Sequence, residues 1–322
     1  MEINDVYTLI KSDMDAVNNT IKRRLYSEVV LINQISHHII NSGGKRLRPV
    51  LVLLSARAMS YEGSHHIDLA AIIEFIHTAT LLHDDVVDSS ELRRGQETAN
   101  ELWGNEASVL VGDFLYSRSF QMMVDVGNMR VMEILAGTTN TIAEGEVLQL
   151  LNCNDADTTE ERYITVIHYK TAKLFEAASQ LGAVISGSKP QLEQAMVKYG
   201  MHLGTAFQLV DDMLDYSAPG EEIGKNVGDD LAEGKPTLPL IYAMRNGTPE
   251  QAAIVRQAIE EGGLADIDRI REVIETTDAI AYTAKTAREE ANMAKAALEG
   301  VPDSPYKQAL ITLAEFSVNR TY

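Results

Sequence analysis

The chain has 322 residues, enough for one large domain or two ordinary ones, and 45% of them are hydrophobic. With 23% charged residues it reads as globular and not disordered. Acids outnumber bases 47 to 28, a net charge of −19, which excludes a general nucleic-acid binder and a basic membrane-surface protein. A small anionic ligand would need a local basic cluster or a bound metal to overcome that mean field.

Cys153 is the only cysteine, so an intrachain disulfide and a cysteine-based zinc site are both excluded, and a reducing compartment is expected. The opening Met1-Glu2-Ile3-Asn4-Asp5 is unlike a secretory or transit peptide. The longest apolar stretches are interrupted by Arg57, and by Glu74 and His77, so no transmembrane segment is expected. A cytoplasmic location follows as the expectation.

Apolar residues at spacings of three and four predict helices throughout. In chain order they cover 51–61, 66–88, 107–126, 131–151, 160–185 and 190–216. Shorter ones follow at 238–245, 249–260, 267–275, 279–298 and 304–318. Thr248-Pro249-Glu250-Gln251 is a helix start with an N-cap, a first-turn proline and a Gln three residues on. Asp157 with Glu160, and Ser304 with Pro305, read the same way. One long loop, rich in Gly, Asp and Lys, lies between Ser217 and Pro236, and such loops are usually functional or disordered. No low-complexity linker cuts the chain. The expectation is a single all-α domain spanning residues 1–322.

A weak internal repeat stands out. Thr78 to Asp88 aligns with Thr205 to Asp215, and three aspartates coincide: Asp84, Asp85 and Asp88 with Asp211, Asp212 and Asp215. On a helix, Asp84 and Asp88 share a face, as do Asp211 and Asp215. Like charges at that spacing destabilise a helix, and its C-terminal end disfavours anions. Two such violations suggest a compensating cation. Carboxylate oxygens favour a hard ion, and Mg²⁺ typically bridges carboxylates to substrate phosphates. The spacing and glycine of an EF-hand loop are absent.

Cations cluster around these aspartates in sequence. Gly43-Gly44-Lys45-Arg46-Leu47-Arg48-Pro49 puts three behind two glycines, just before a helix beginning near Pro49. Glycines admit close approach to a ligand and a helix N-terminus favours phosphate, although the P-loop spacing is missing. Arg93-Arg94-Gly95 follows the first aspartate cluster closely enough to reach back to a phosphate. Lys170-Thr171 interrupts an apolar helical run, and Lys225 and Lys235 sit in the long loop. His77 lies two helical turns before Asp84 on the same face. No Ser/His/Asp or GxSxG arrangement supports hydrolase chemistry.

In their order along the chain these motifs resemble those of the trans-isoprenyl diphosphate synthases, and the likeness covers essentially the whole sequence. The resemblance implies an all-α fold with a central cavity between helices, a homodimer and Mg²⁺ dependence. It implies that Lys45, Arg48, His77 and Arg94 hold isopentenyl diphosphate, with Arg46 in the same basic turn. Arg93, Lys170, Thr171, Gln208, Lys225 and Lys235 would hold an allylic diphosphate such as farnesyl diphosphate. Asp84, Asp88 and Asp211 would be the principal metal ligands, supported by Asp85, Asp212 and Asp215. Loss of diphosphate would leave an allylic cation, which the isopentenyl double bond attacks. The departed diphosphate then takes the proton, and water must be kept out.

The resemblance also bears on product length. In that family, aromatic residues four and five positions before the first aspartate cap the tunnel. Here Thr80 and Ala79 stand there, so the floor is expected deeper, at Met123 with Phe120 next. A long all-trans product follows, expected to be octaprenyl diphosphate for quinone side chains, with heptaprenyl and nonaprenyl as alternatives. A non-catalytic subunit of a heteromeric synthase is the competing reading, and it would be expected to lose aspartates that this chain keeps. Two departures stand out. Glu146 replaces the Gln of shorter-chain relatives, and the C-terminus has a single cation, Arg320, to which no role is assigned.

Overall fold

The structure, a computed structural model, describes residues 1–41, 43–93, 95–217, 228–262, 264 and 266–320. Three helices precede the first predicted one: α1 (Ile3–Leu9), α2 (Lys11–Leu25) and α3 (Val30–Asn41). The sequence reading missed them; α1 is short and apolar positions in α2 are sparse, whereas α3 with Val30, Leu31, Ile32, Ile35, Ile39 and Ile40 was within reach. Over its 15 residues α2 buries only Val17, Thr20, Ile21 and Leu25.

From there the predicted helices have counterparts, but the one predicted at 51–61 spans 47–58 and the helix at 99–103 was not predicted. α4 (Leu47–Ala58), α5 (His65–Val87), α6 (Ala99–Trp103), α7 (Asn105–Val126) and α8 (Met129–Asn152) follow. Leu92–Arg93 pairs antiparallel with Gln96–Glu97 across a turn at Gly95, whose φ of 74° suits glycine. The predicted helix 160–185 has three parts: α9 (Glu160–Ile167), a π-helical segment (His168–Ala172) and α10 (Lys173–Ile185). α11 (Pro190–Ser217), α12 (Asp229–Ala232), α13 (Leu238–Asn246) and α14 (Pro249–Glu261) come next. α15 (Ile267–Thr276), α16 (Ala279–Ala297) and α17 (Pro305–Asn319) complete the chain. The fold is all-α.

Two of the predicted helix starts stand and one is corrected. Thr248 and Gln251 form the reciprocal capping box, and Ser304 Oγ accepts from Lys307 N at 3.1 Å. The cap of α9 is Thr159, not Asp157: Thr159 Oγ1 accepts from Arg162 N at 3.2 Å. Asp157 instead pairs with Arg256 at 2.5 Å. Part of the predicted 217–236 loop is α12, and its residues 218–227 lie outside the described residues.

The chain divides into two compact units. The first comprises Met1–Thr139, Leu174–Lys198 and Ala297–Leu313. Its core is α4 and α5, buried along Val50–Leu54 and Leu69–Phe75, with α5 packed most extensively against α7. Gly182 of α10 lets that helix cross α4 at close range. A Cβ there would stand 2.5 Å from Ala56 N and 2.6 Å from Ser55 Cβ. The second unit comprises Asn140–Lys173, Tyr199–Ala296 and Ala314–Tyr322. One of its apolar clusters gathers Tyr163, Ile167, Leu209, Leu214, Leu238 and Ile241 under the second aspartate motif.

The close crossing at Gly182 carries a prediction. Gly182→Ala drives a methyl group into backbone, which yields less readily than a flexible side chain. It should lower stability by about 1–3 kcal/mol, read as a reduced urea midpoint at unchanged slope.

Candidate active site

In the first unit the last turn of α5 carries Asp84, Asp85 and Asp88. Asp88 is the C-cap, and its N–H donates to the Asp84 carbonyl at 2.8 Å. The motif thus ends the helix, as the sequence predicts. Asp84 and Asp88 are half-buried, whereas Asp85 is fully buried. Arg93 Nη2 lies 2.6 Å from Asp85 Oδ1, and Arg93 Nε donates to the same oxygen at 2.8 Å. Burial pushes the Asp85 carboxyl up and the Arg93 guanidinium pulls it back. Asp85 Oδ2 is buried with no hydrogen-bond partner among the described residues.

Two predicted substrate-binding residues meet in this unit. Arg48 Nη1 lies 3.1 Å from His77 Nε2, and the Arg48 guanidinium stands 4.5 Å from the Phe175 ring centroid. Tyr7 donates its hydroxyl to the Lys45 carbonyl at 2.8 Å and so fixes the basic turn. Arg46 faces elsewhere. Its backbone is left-handed, with φ 46°, and its guanidinium bonds Asn18 and the Ile40 carbonyl and approaches Glu74 at 3.9 Å. The structure therefore gives Arg46 an anchoring place among α2, α3 and α5. Arg94 lies outside the described residues.

In the second unit a cavity of about 80 Å³ brings together Lys170, Thr171, Gln208, Asp212 and Lys235, all candidates from the sequence. Thr171 donates to Gln208 Oε1 at 3.0 Å, and Gln208 Nε2 donates to Asp212 Oδ1 at 2.7 Å. Tyr163 closes the chain by donating to Asp212 Oδ2 at 2.5 Å. Burial, then the charge of Asp230, pushes the Asp212 carboxyl up to about 8, against both hydrogen bonds. Lys170 and Thr171 lie in the π-helical segment, a distortion frequent at functional sites. Lys235 pairs with Glu233, and Asp215 Oδ2 accepts from Asp230 N at 3.2 Å. Lys225 lies outside the described residues.

The sequence reading missed several of these partners. Tyr163 precedes Lys170 by seven residues, so a shared helix face was a signal in reach. Asp230 and Gln149 also line the cavity. Arg320, to which the sequence reading assigns no role, has well-defined partners. Its Nη2 is 2.6 Å from Asp211 Oδ1 and donates to the Phe207 carbonyl at 2.6 Å. Its guanidinium lies 3.8 Å from the Phe207 ring centroid.

Ala79 and Met123, both fully buried, belong to the first unit, as do half-buried Thr80 and Phe120. Met122, beside Met123, is equally enclosed. Phe120 meets Tyr116 edge to face at 5.3 Å.

Residues 29–277 match the polyprenyl synthetase family. The chain belongs to that family. It is 54% identical to the octaprenyl diphosphate synthase of Escherichia coli over 99% of each chain. It is 44% identical to a geranyl-diphosphate-specific all-trans-nonaprenyl-diphosphate synthase of Rhodobacter capsulatus, over 98% of this chain and 97% of that one. A polyprenyl synthase of Caulobacter crescentus, solved with calcium and isoprenyl diphosphate, superposes with a TM-score of 0.96 at 45% identity. That match covers 100% of this chain and 98% of the other. The fold is thus of the isoprenoid synthase type, and the protein is an enzyme, a prenyltransferase.

The Tyr163–Asp212 bond makes a prediction for this prenyltransferase. Tyr163→Phe leaves a buried carboxyl oxygen without its donor. Stability should fall by about 1–3 kcal/mol in chemical denaturation.

Proposed function

We propose that the chain works as one polyprenyl synthase domain that adds isopentenyl diphosphate units to an allylic diphosphate such as farnesyl diphosphate. The product is octaprenyl diphosphate, for quinone side chains. The observation that carries this reading is the second-unit cavity, where Lys170, Thr171, Gln208 and Lys235 stand beside the acidic end of α11. Anion donors beside carboxylates make sense when a diphosphate and a metal bind together. The identity to an octaprenyl diphosphate synthase supports the product assignment.

The donor set fits Mg²⁺. Its oxygens are hard, and the buried Asp85 Oδ2 has no hydrogen-bond partner among the described residues. Among those residues, no three His, Cys, Asp or Glu side chains already form a metal cage. The ion would then complete its shell with water and diphosphate oxygens, as Mg²⁺ commonly does. Asp84 and Asp88 in the first unit and Asp211 in the second would be the metal ligands, with Asp85, Asp212 and Asp215 in support. Bound there, the metal supplies charge neutralisation for the leaving diphosphate.

The chain's own residues supply the rest. Lys170, Thr171, Gln208 and Lys235, with Arg93 and Lys225, bind and orient the allylic diphosphate. Lys45, Arg48, His77 and Arg94 take isopentenyl diphosphate, the Arg48–His77 contact presetting the side-chain directions. Arg46 serves as an anchor. The apolar lining around Ala79 keeps water from the cation. A homodimer acting in the cytoplasm completes the reading. Exposed Leu110 and Val124 on α7, and Val147, Leu150 and Leu151 on α8, offer apolar surface for a second copy.

The decisive experiment follows diphosphate release and product chromatography with the purified chain. Farnesyl and isopentenyl diphosphates together should give Mg²⁺-dependent release and an octaprenyl product. Release without isopentenyl diphosphate, or none at all, would sink the reading. Asp84→Ala should cut turnover at least about 100-fold while circular dichroism stays helical, since it removes charge stabilisation of several kcal/mol.

Met123 sets the floor. An isoprene unit spans about one helical turn, roughly 5 Å. Met123→Ala should shift the product distribution upward by one unit or more in the same chromatography, and an unchanged distribution would refute the assignment.

A further inference from the structure

The α8 helix approaches the π-helical segment more closely than side chains ordinarily allow. A Cβ on Gly145 would stand 2.7 Å from Lys170 N and 2.8 Å from Tyr169 Cβ, so only glycine leaves room. The next residue, Glu146, uses that approach. Lys170 Nζ donates to Glu146 Oε2 at 2.6 Å and to Gln149 Oε1 at 2.7 Å. Lys170 and Gln149 line the cavity, and Glu146 grips the ammonium beside that lining. The Lys170 side chain is 19% exposed and that of Glu146 30%, so the pair is only partly screened by water.

We propose that Glu146 is a positioning residue that tunes how tightly the Lys170 cavity holds a diphosphate, and so how fast inorganic diphosphate leaves. This rests on the function proposed above. The carboxylate acts on an anion in two opposite ways. It holds the flexible Lys170 stem in place, which favours binding. It also places a negative charge near the incoming phosphate oxygen. The pair distance of 2.6 Å plus a charge-assisted hydrogen bond of about 2.8 Å puts the two anions about 5 Å apart or less. At an effective dielectric constant near 20, that repulsion is worth about two orders of magnitude in affinity. Partial exposure reduces it to roughly tenfold. Restraint of one lysine stem is worth a similar factor, but Gln149 Oε1 also holds Lys170 Nζ at 2.7 Å without Glu146, so the charge decides the sign. Glu146 therefore weakens diphosphate binding and speeds its release.

The test compares full-length wild type with E146Q and E146A. Glu146→Gln keeps an oxygen for the Lys170 hydrogen bond and removes only the charge. Calorimetric titration with inorganic diphosphate, with and without Mg²⁺, should show binding about tenfold tighter in E146Q. In steady state the KM for the allylic diphosphate and the inhibition constant of inorganic diphosphate should fall by a similar factor. The kcat should also fall, while single-turnover chemistry and the KM for isopentenyl diphosphate stay within twofold. E146A should move in the same direction but less, because Lys170 loses its restraint too, and it serves if E146Q does not fold. Unchanged or weaker diphosphate binding in both variants would overturn the proposal and leave Glu146 a strut. The calorimetry reads the cavity whether or not the wild type turns over. An inactive wild type with tighter E146Q binding would sink the function and spare the clamp; an active wild type with unaffected variants would do the reverse.

Discussion

Six carboxylates gathered at the ends of two helices constrain everything else in this protein. Each triplet sits where the helix dipole is unfavourable and where i and i+4 charges repel. Such an arrangement survives only if nearby groups hold the charge. In the first unit Arg93 takes Asp85. In the second, Tyr163 and Gln208 donate to the two oxygens of Asp212, and Arg320 takes Asp211. The middle aspartate of each triplet is thus buried and bonded, while Asp84, Asp88, Asp211 and Asp215 remain half-buried. Each motif divides into a buried middle carboxylate and two that lie nearer to solvent.

The cations divide in the same way. Three follow one another in the basic turn, yet they do different work. Arg48 joins His77 and Phe175, whereas Arg46 turns to Asn18, Ile40 and Glu74. Arg46 is the N-cap of α4 with a left-handed backbone, and Arg48 stands two residues on within the helix, about 200° around its axis. Glycines 43 and 44, with φ of 89° and 127°, give the preceding turn the freedom to enter that geometry.

Most of the helical architecture was legible because apolar periodicity is local and strong from α4 onward. Helices α1 and α2 were not, because their few buried positions gain meaning only from the helices they pack against. The aspartate motifs were legible because they break local rules twice in the same way. Their partners were hidden for the opposite reason. Tyr163 reads as an ordinary core tyrosine until Asp212 is found at its hydroxyl, and Arg320 reads as a tail cation until Phe207 and Asp211 are found around it. The break of α9 and α10 by a π-helical segment carries no compositional signal at all. Only Gly145, needed for the close approach of α8, hints at it in retrospect.

The net charge of −19 takes on a different meaning against these pairs. Counted by residue, the sequence motifs carry eight cations against six aspartates, so the excess acid lies outside them. Counted by contact, the cations within each unit are closer to balance. Lys170 has Glu146, Lys235 has Glu233, Arg93 has Asp85 and Arg320 has Asp211. These cations are therefore not bare. On the proposed function, a diphosphate would exchange one set of ion pairs for another and leave the displaced carboxylates to a divalent ion. In such a site anion and metal binding reinforce each other, since each relieves a charge that the other leaves unpaired. On the proposed function, the acidic chain would hold two diphosphates without a strongly positive surface that would also attract nucleic acid.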